Sequence, residues 1–193
     1  MERQEGINFK EIRKDHLNRY YLAAEIIKHL KIKNVTDIAS GVGYGSKILS
    51  SVSSEVTSIE RNKEAIIKAK KNFNSEKIKY INKDVFDYEF EKTDFVVCFE
   101  FLEHTEFHNK LFNIFKCITD KLIISTPNEL ERPYLMQPVN PFHIKHWEPE
   151  ELEIKLKEYN FAIKKWFCQK IGNPNIYNGS SGKFMIAYCE KFD

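Results

Sequence analysis

Apolar residues recur at helical spacing between Asp15 and Leu30, where Leu17, Tyr20 or Tyr21, Ala24, Ile27 and Leu30 fall three to four positions apart. This period predicts an amphipathic helix with Asp15 as its N-cap. Beyond it the pattern shortens to apolar runs of strand length. The run from Val35 predicts a first strand, Val56–Glu60 a second, Ile78–Asn82 a third, Asp94–Phe99 a fourth and Leu122–Ser125 a fifth. The fourth, DFVVCF, is apolar at every position after Asp94, as a strand covered on both faces of a parallel sheet should be. Ser46–Val52 reads as a helix after the first strand. Lys63–Asn74 reads as another, with Ala65, Ile66, Ala69 and Phe73 on its buried side and its lysines on a solvated face.

Short apolar strands alternating with helices predict an open parallel sheet with right-handed crossovers. The tail breaks this rhythm. Phe161–Gln169 and Lys183–Glu190 are strand-like runs joined by a loop rich in Gly, Asn and Ser, with no helix between them, so they should pair antiparallel. A dinucleotide-binding sheet, parallel throughout, would not end this way.

The most informative stretch is VTDIASGVGYGS, residues 35–46, in which a strand ending near Asp37 runs into Gly41, Gly43 and Gly45. Glycine reaches positive φ without steric cost and lets another molecule approach the backbone. The helix that follows offers unpaired N–H groups at its first turn. Together these read as a cradle for a nucleotide-like ligand. Glu60, at the end of the second strand, is placed to hydrogen-bond a ribose diol. A dinucleotide fingerprint would need Gly at position 46, where this chain has Ser46. Asp37 could hold an ammonium group through the loop, so an amino-acid-bearing nucleoside fits better than NAD.

With 193 residues and 42% hydrophobic content, the chain is expected to form one domain over 1–193 with an ample core. Lys and Arg number 30 against 28 for Asp and Glu, too small an excess for the basic field of a dedicated nucleic-acid binder. Cys98, Cys117, Cys168 and Cys189 show no CxxC spacing and read as reduced thiols of a cytoplasmic protein, three of them in the core. No run approaches the roughly 20 apolar residues of a membrane span. The start, MERQEGINFK, lacks the basic and apolar regions of a signal peptide.

The ordered set HLNRYYLA, VTDIASGVGYGS, SIE, KDV, DFVVCFEFLEH, LIISTPN and NPFHIKHWEPEEL resembles the class I S-adenosylmethionine-dependent methyltransferases over nearly the whole chain. Within them it is similar to the small branch of ubiquinone-pathway and surface-glycan-cluster O-methyltransferases. The resemblance implies a Rossmann-like α/β fold: a central, mostly parallel seven-stranded sheet with an antiparallel C-terminal strand and helices on both faces. It implies that residues 1–30 cover the cofactor site and that 129–147 form the acceptor-side loop. It places Asp37, Gly41 and Gly43 against the methionyl part of the cofactor and Glu60 on both ribose hydroxyls. Asp84 would face the adenine amino group, with Val85 beside the ring; Phe99 would touch the cofactor, and Arg19 would pair with the methionyl carboxylate. The Pro-Gly-Gly turn common before strand five is replaced here by Ile118–Lys121, a distal change.

Methyl transfer from a sulfonium is an in-line displacement with a good leaving group, so positioning and water exclusion dominate. For a hydroxyl acceptor a base or a metal becomes useful. Glu100, Glu103 and His104 form an ExxEH group at the carboxyl end of strand four, where positions three and four apart share a helical face. His143 arrives from NPFHIKHW. These oxygen and imidazole donors suit Mg²⁺ or Mn²⁺. Ubiquinone-pathway O-methyltransferases resemble the chain in the ExxEH group, and small-RNA 3′-end 2′-O-methyltransferases in all four positions. Without a metal, His104 or His143 is the candidate general base. His146 reads as either a lesser site candidate or a surface residue, and Trp147 and Phe142 as either acceptor-stacking rings or core anchors. The expected activity is methyl transfer to a hydroxyl, or an amine, of a small molecule or sugar. The alternatives are 2′-O-methylation of an RNA end, a non-catalytic cofactor-binding module and, more distantly, an NAD dehydrogenase.

Overall fold

A computed structural model describes residues 4–136 and 139–192. The chain forms two compact units, residues 1–98 and 99–193. In the first, α1 (Lys14–Leu30) precedes β1 (Asn34–Ile38), α2 (Tyr44–Leu49), β2 (Glu55–Ile59), α3 (Lys63–Asn72), β3 (Ile78–Ile81) and β4 (Phe95–Phe99). The strand order is β3-β2-β1-β4, all parallel, with Val35 aligned to Val56 on one side and to Phe95 on the other. Every residue of β4 is buried, as its unbroken apolar run predicts.

Four helix ends differ from the sequence expectation or test it. Asp15 is not the N-cap of α1; that position is Arg13, and Asp15 sits in the first turn, where it accepts a hydrogen bond from Arg13 Nε at 3.0 Å. Helix α2 begins two residues before Ser46 and stops at Leu49 rather than Val52. The hydroxyls of Ser50, Ser51 and Ser53 bond back to the carbonyls of Lys47, Ile48 and Leu49, the local competition by which serine ends helices. Helix α3 starts as expected, because Asn62 Oδ1 accepts the Ala65 N–H at 2.8 Å.

In the second unit a 3-10 turn (Leu102–His104) and α4 (His108–Ile118) precede β5 (Lys121–Pro127), α5 (Pro149–Glu158), β6 (Phe161–Gln169), β7 (Tyr177–Asn178) and β8 (Phe184–Lys191). The strand order is β5-β8-β6-β7, all antiparallel. The β6–β8 pair is the one the tail pattern implies, with a register shift between Ile163 and Lys165. With the short β7 edge, the described residues hold eight strands where seven were expected. Helix α4 buries Leu111, Phe112, Phe115 and Ile118 along one face. Helix α5 escaped the periodic reading because only Leu152 and Leu156 are buried on it. Its start is written in other terms: Pro149 stands in the first turn with Glu150 and Glu151, and Lys155 and Lys157 stand in the last. No helix among the described residues is long and apolar enough to cross a membrane. Cys98, Cys168 and Cys189 are buried and Cys117 is exposed, and all four are free thiols.

Helix α2 lies against α1 through Gly45. A Cβ there would come within 2.1 Å of the Tyr20 ring. Tyr20 cannot move aside easily, since its hydroxyl donates to buried Asp37 at 3.1 Å and its ring meets Tyr44 edge-on. Gly45→Ala is therefore expected to destabilise the fold by roughly 1–3 kcal/mol. Urea denaturation of the two proteins would test this, and equal midpoints would refute it.

Candidate active site

The turn after β1 twists through three left-handed residues, Ala39, Gly41 and Gly43, at φ of 57°, 58° and 84°. The sequence suggests three glycines open to a ligand. In the structure, a Cβ added at Gly41 would meet nothing within 4 Å. At Gly43 it would meet Ala69 Cβ at 2.7 Å and the Tyr80 hydroxyl at 2.8 Å, and at Gly45 the Tyr20 ring. Gly43 and Gly45 thus serve the packing of this turn, and Gly41 is the open position.

Glu60, just past β2, is almost fully buried. One carboxylate oxygen accepts the Gly41 N–H at 3.1 Å and the other the Asn62 N–H at 2.8 Å. Asn82 steadies the same corner by donating from Nδ2 to the carbonyls of Glu60 and Arg61. Asp84 follows β3; its Oδ1 accepts the Phe86 N–H, and Arg61 lies 3.6 Å from its Oδ2. Val85 and Phe99 are buried, as is Arg19 on α1.

Asp37 lies behind the turn with no exposed surface. The Tyr20 hydroxyl donates to its Oδ1, and the Ser46 hydroxyl lies 2.6 Å from its Oδ2. From Ser46 a line of buried hydroxyls continues to Ser58 at 2.9 Å, to Ser40 at 2.7 Å and to the Ile59 carbonyl at 3.4 Å. Burial raises the Asp37 carboxyl to a pKa of about 7, against the lowering effect of its hydrogen bonds to Ser46 and Tyr20. The three serines and Tyr20 are neighbours of the site that sequence reasoning missed. In the sequence, Ser46 stands out only as the position where a dinucleotide motif would have glycine.

The second unit brings Glu103, His104 and His143 together, with one ligand atom of each within 4.8 Å of the others. The 3-10 turn carries the first two. Glu103 is buried, with the Thr126 hydroxyl 3.4 Å from its Oε2, and its carbonyl accepts the Ile144 N–H at 2.7 Å. His104 Nδ1 lies 2.7 Å from the Phe142 carbonyl oxygen. A carbonyl only accepts, so Nδ1 carries the hydrogen and Nε2 the lone pair of the neutral ring. The rings of His104 and His143 meet edge-on, with centroids 4.9 Å apart.

Glu100 does not join this group. Its φ of 51° takes it out of the helical turn on which three- and four-residue spacing would have aligned it. Its Oε1 accepts instead from Ser125 Oγ at 2.8 Å. His146 is not a surface residue: it is buried, with Nε2 2.6 Å from His143 Nδ1 and Nδ1 2.6 Å from the Arg132 carbonyl. Burial holds its pKa below the usual histidine value. The i, i+3 spacing of the two histidines in HIKH was the signal that could have paired them. Trp147 is a core residue, packed edge-on against His108 and Phe112, whereas Phe142 is exposed.

Residues 36–119 match the model of a methyltransferase domain. No curated protein matches the sequence significantly. Among solved structures the chain is similar to the magnesium protoporphyrin IX methyltransferase ChlM from Synechocystis PCC 6803, determined with bound S-adenosylhomocysteine. Identity is 17%, coverage 97% of this chain and 89% of that one, and the TM-score 0.73. It is also similar to the N-methyltransferase NodS from Bradyrhizobium japonicum WM9, in complex with S-adenosylhomocysteine, at 14% identity, with 93% and 88% covered and a TM-score of 0.70. A third is the small RNA methyltransferase HEN1, at 21% identity and a TM-score of 0.72, where 99% of this chain corresponds to 27% of that one. Residues 36–119 thus resemble a methyltransferase domain, and the chain as a whole has the Rossmann-like fold of the methyltransferase structures it matches.

Proposed function

We propose that the protein, as a single domain over residues 1–193, transfers a methyl group from S-adenosylmethionine to a hydroxyl of a small molecule or sugar, with Mg²⁺ or Mn²⁺ held by Glu103, His104 and His143. The observation that carries hydroxyl over amine is the grouping of one carboxylate and two imidazoles within 4.8 Å. An amine can attack the methyl group unaided, whereas a hydroxyl gains from such a group.

Glu60 is read as the acceptor for both ribose hydroxyls. A carboxylate offers about four lone-pair sites, so one that accepts backbone N–H groups can accept hydroxyls as well. Gly41 leaves room for the methionyl part beside the turn. Arg19 is assigned to the methionyl carboxylate, Asp84 and Val85 to the adenine, and Phe99 and Gly43 to further cofactor contacts. Asp37 acts through Tyr20 and Ser46, which hold its carboxyl.

A divalent cation in the cluster would supply Lewis-acid stabilisation of the oxygen that loses its proton. Glu103 and His104 fit such an ion, since the Phe142 carbonyl commits His104 to offering Nε2. In the absence of metal, His104 or His143 accepts the hydroxyl proton. A ribose 2′-hydroxyl at an RNA end is the second reading, favoured by the same cluster. RNA binding that falls steeply with salt would select it.

Glu103→Ala should abolish Mn²⁺ binding while leaving the affinity for S-adenosylhomocysteine within about twofold, because its carboxylate is assigned to the metal cluster and not to the cofactor. Calorimetric titration with each ligand tests both halves. Undiminished Mn²⁺ binding by the variant would remove the metal assignment.

A further inference from the structure

His146 stands outside the trio of Glu103, His104 and His143, yet it is buried and touches one of them. Its Nδ1 is 2.6 Å from the Arg132 carbonyl oxygen, an atom that can only accept, so that nitrogen carries the hydrogen. A neutral imidazole has one N–H. His146 Nε2 is then the bare nitrogen, and the 2.6 Å contact it makes with His143 Nδ1 needs its hydrogen from His143. His143 is left with its lone pair on Nε2.

Beside His146, neither Glu129 nor Tyr134 offers its ring a competing hydrogen bond. Glu129 Oε2, at 3.8 Å from His146 Nδ1, lies beyond hydrogen-bond reach, and Tyr134 meets the ring edge-on at 5.8 Å between centroids. His104 reaches the same state by a direct route, with Nδ1 on the Phe142 carbonyl. The two imidazoles of the cluster therefore offer the same nitrogen, one oriented by a carbonyl and the other by a carbonyl acting through a second imidazole.

We infer that His146 is a positioning residue which, anchored by the Arg132 carbonyl, fixes His143 as the Nδ1–H tautomer and makes Nε2 its metal-binding nitrogen. The purpose of this relay rests on the metal reading above, while its geometry does not. Outer-shell partners of this kind set ring orientation and ligand basicity, and their loss typically weakens metal affinity about 10–100-fold.

The decisive experiment uses the full chain labelled with ¹⁵N-histidine, free of metal, at about pH 8, where an ordinary histidine is neutral. Two-bond ¹H–¹⁵N correlation spectra report which ring nitrogen bears hydrogen, with the His143 signals assigned by their loss in His143→Ala. The expected result is Nδ1–H at His143 in the wild type, Nδ1–H retained in His146→Gln, whose amide oxygen can replace the accepting nitrogen, and a shift toward Nε2–H in His146→Leu. Nε2–H in the wild type, or a tautomer indifferent to His146→Leu, overturns the inference. Mn²⁺ titration then reads the consequence: roughly 10–100-fold weaker binding for His146→Leu and near-normal binding for His146→Gln. Equal loss in both variants would reduce His146 to packing. If the tautomer pattern holds and the wild type binds no Mn²⁺, the relay stands and the metal reading falls.

Discussion

Replacing Asp37 with Asn is expected to change the pH dependence of folding stability by about 4 kcal/mol between roughly pH 4 and pH 8. The native carboxyl titrates at about 7, against 3.8 for an ordinary aspartate, so the folded protein holds a proton that the unfolded chain has released across that window. Stability therefore falls as pH rises. Below about pH 4 both states are protonated and the group makes no difference; above about pH 7 both are ionised and the full cost of burying the charge applies. Proton counting along the hydroxyl line supports the same outcome. Four contacts link Asp37, Ser46, Ser58, Ser40 and the Ile59 carbonyl, whereas the three serines bring only three hydrogens. A protonated Asp37 supplies the fourth, and the side-chain amide of the Asp37→Asn variant would supply it at every pH. Urea denaturation of wild type and Asp37→Asn across this range should give curves that diverge with rising pH, the variant being the more stable at pH 8. Parallel curves would mean that Asp37 is ionised throughout.

The second large effect concerns Glu60. In the role proposed for it, Glu60 would make two charge-assisted hydrogen bonds to a ribose diol, worth about 1.5–3 kcal/mol apiece, so Glu60→Ala should weaken S-adenosylhomocysteine binding by at least about a hundredfold. The variant also strips the Gly41 and Asn62 N–H groups of their acceptor, at the edge of a loop that water can reach. Some stability is lost with it, and thermal unfolding of the ligand-free variant measures that share separately. An unchanged affinity in a folded Glu60→Ala protein would sink the assignment of this turn as the cofactor site.

Much of this molecule was legible in one dimension. Phe95–Phe99 announced β4 by being apolar at every position of the strand, a demand that only burial on both faces makes. The change from helical to strand spacing located the parallel strands within a few residues, and the helix-free Gly, Asn and Ser loop foretold the antiparallel β6–β8 pair. Helix α5 was missed because charge density hid its two-residue apolar stripe. Its turn of Pro149, Glu150 and Glu151 carried the information in capping chemistry instead.

The site divides along the same line. Sequence alone determined which residue types meet the turn after β1, since Gly41 and Glu60 follow from strand ends, and which donors follow β4, since Glu103 and His104 are adjacent. It could not determine that Gly43 and Gly45 have their Cβ directions filled by Tyr80, Ala69 and Tyr20, or that Ser40, Ser46 and Ser58 line up behind Asp37. Nor could it show Glu100 turned away by a left-handed backbone, or His146 buried against His143. The physical reason is range. Periodicity and turn chemistry are properties of neighbours along the chain, whereas the direction of a side chain and the hydrogen on an imidazole are set by atoms such as the Arg132 carbonyl, which only the folded chain brings near.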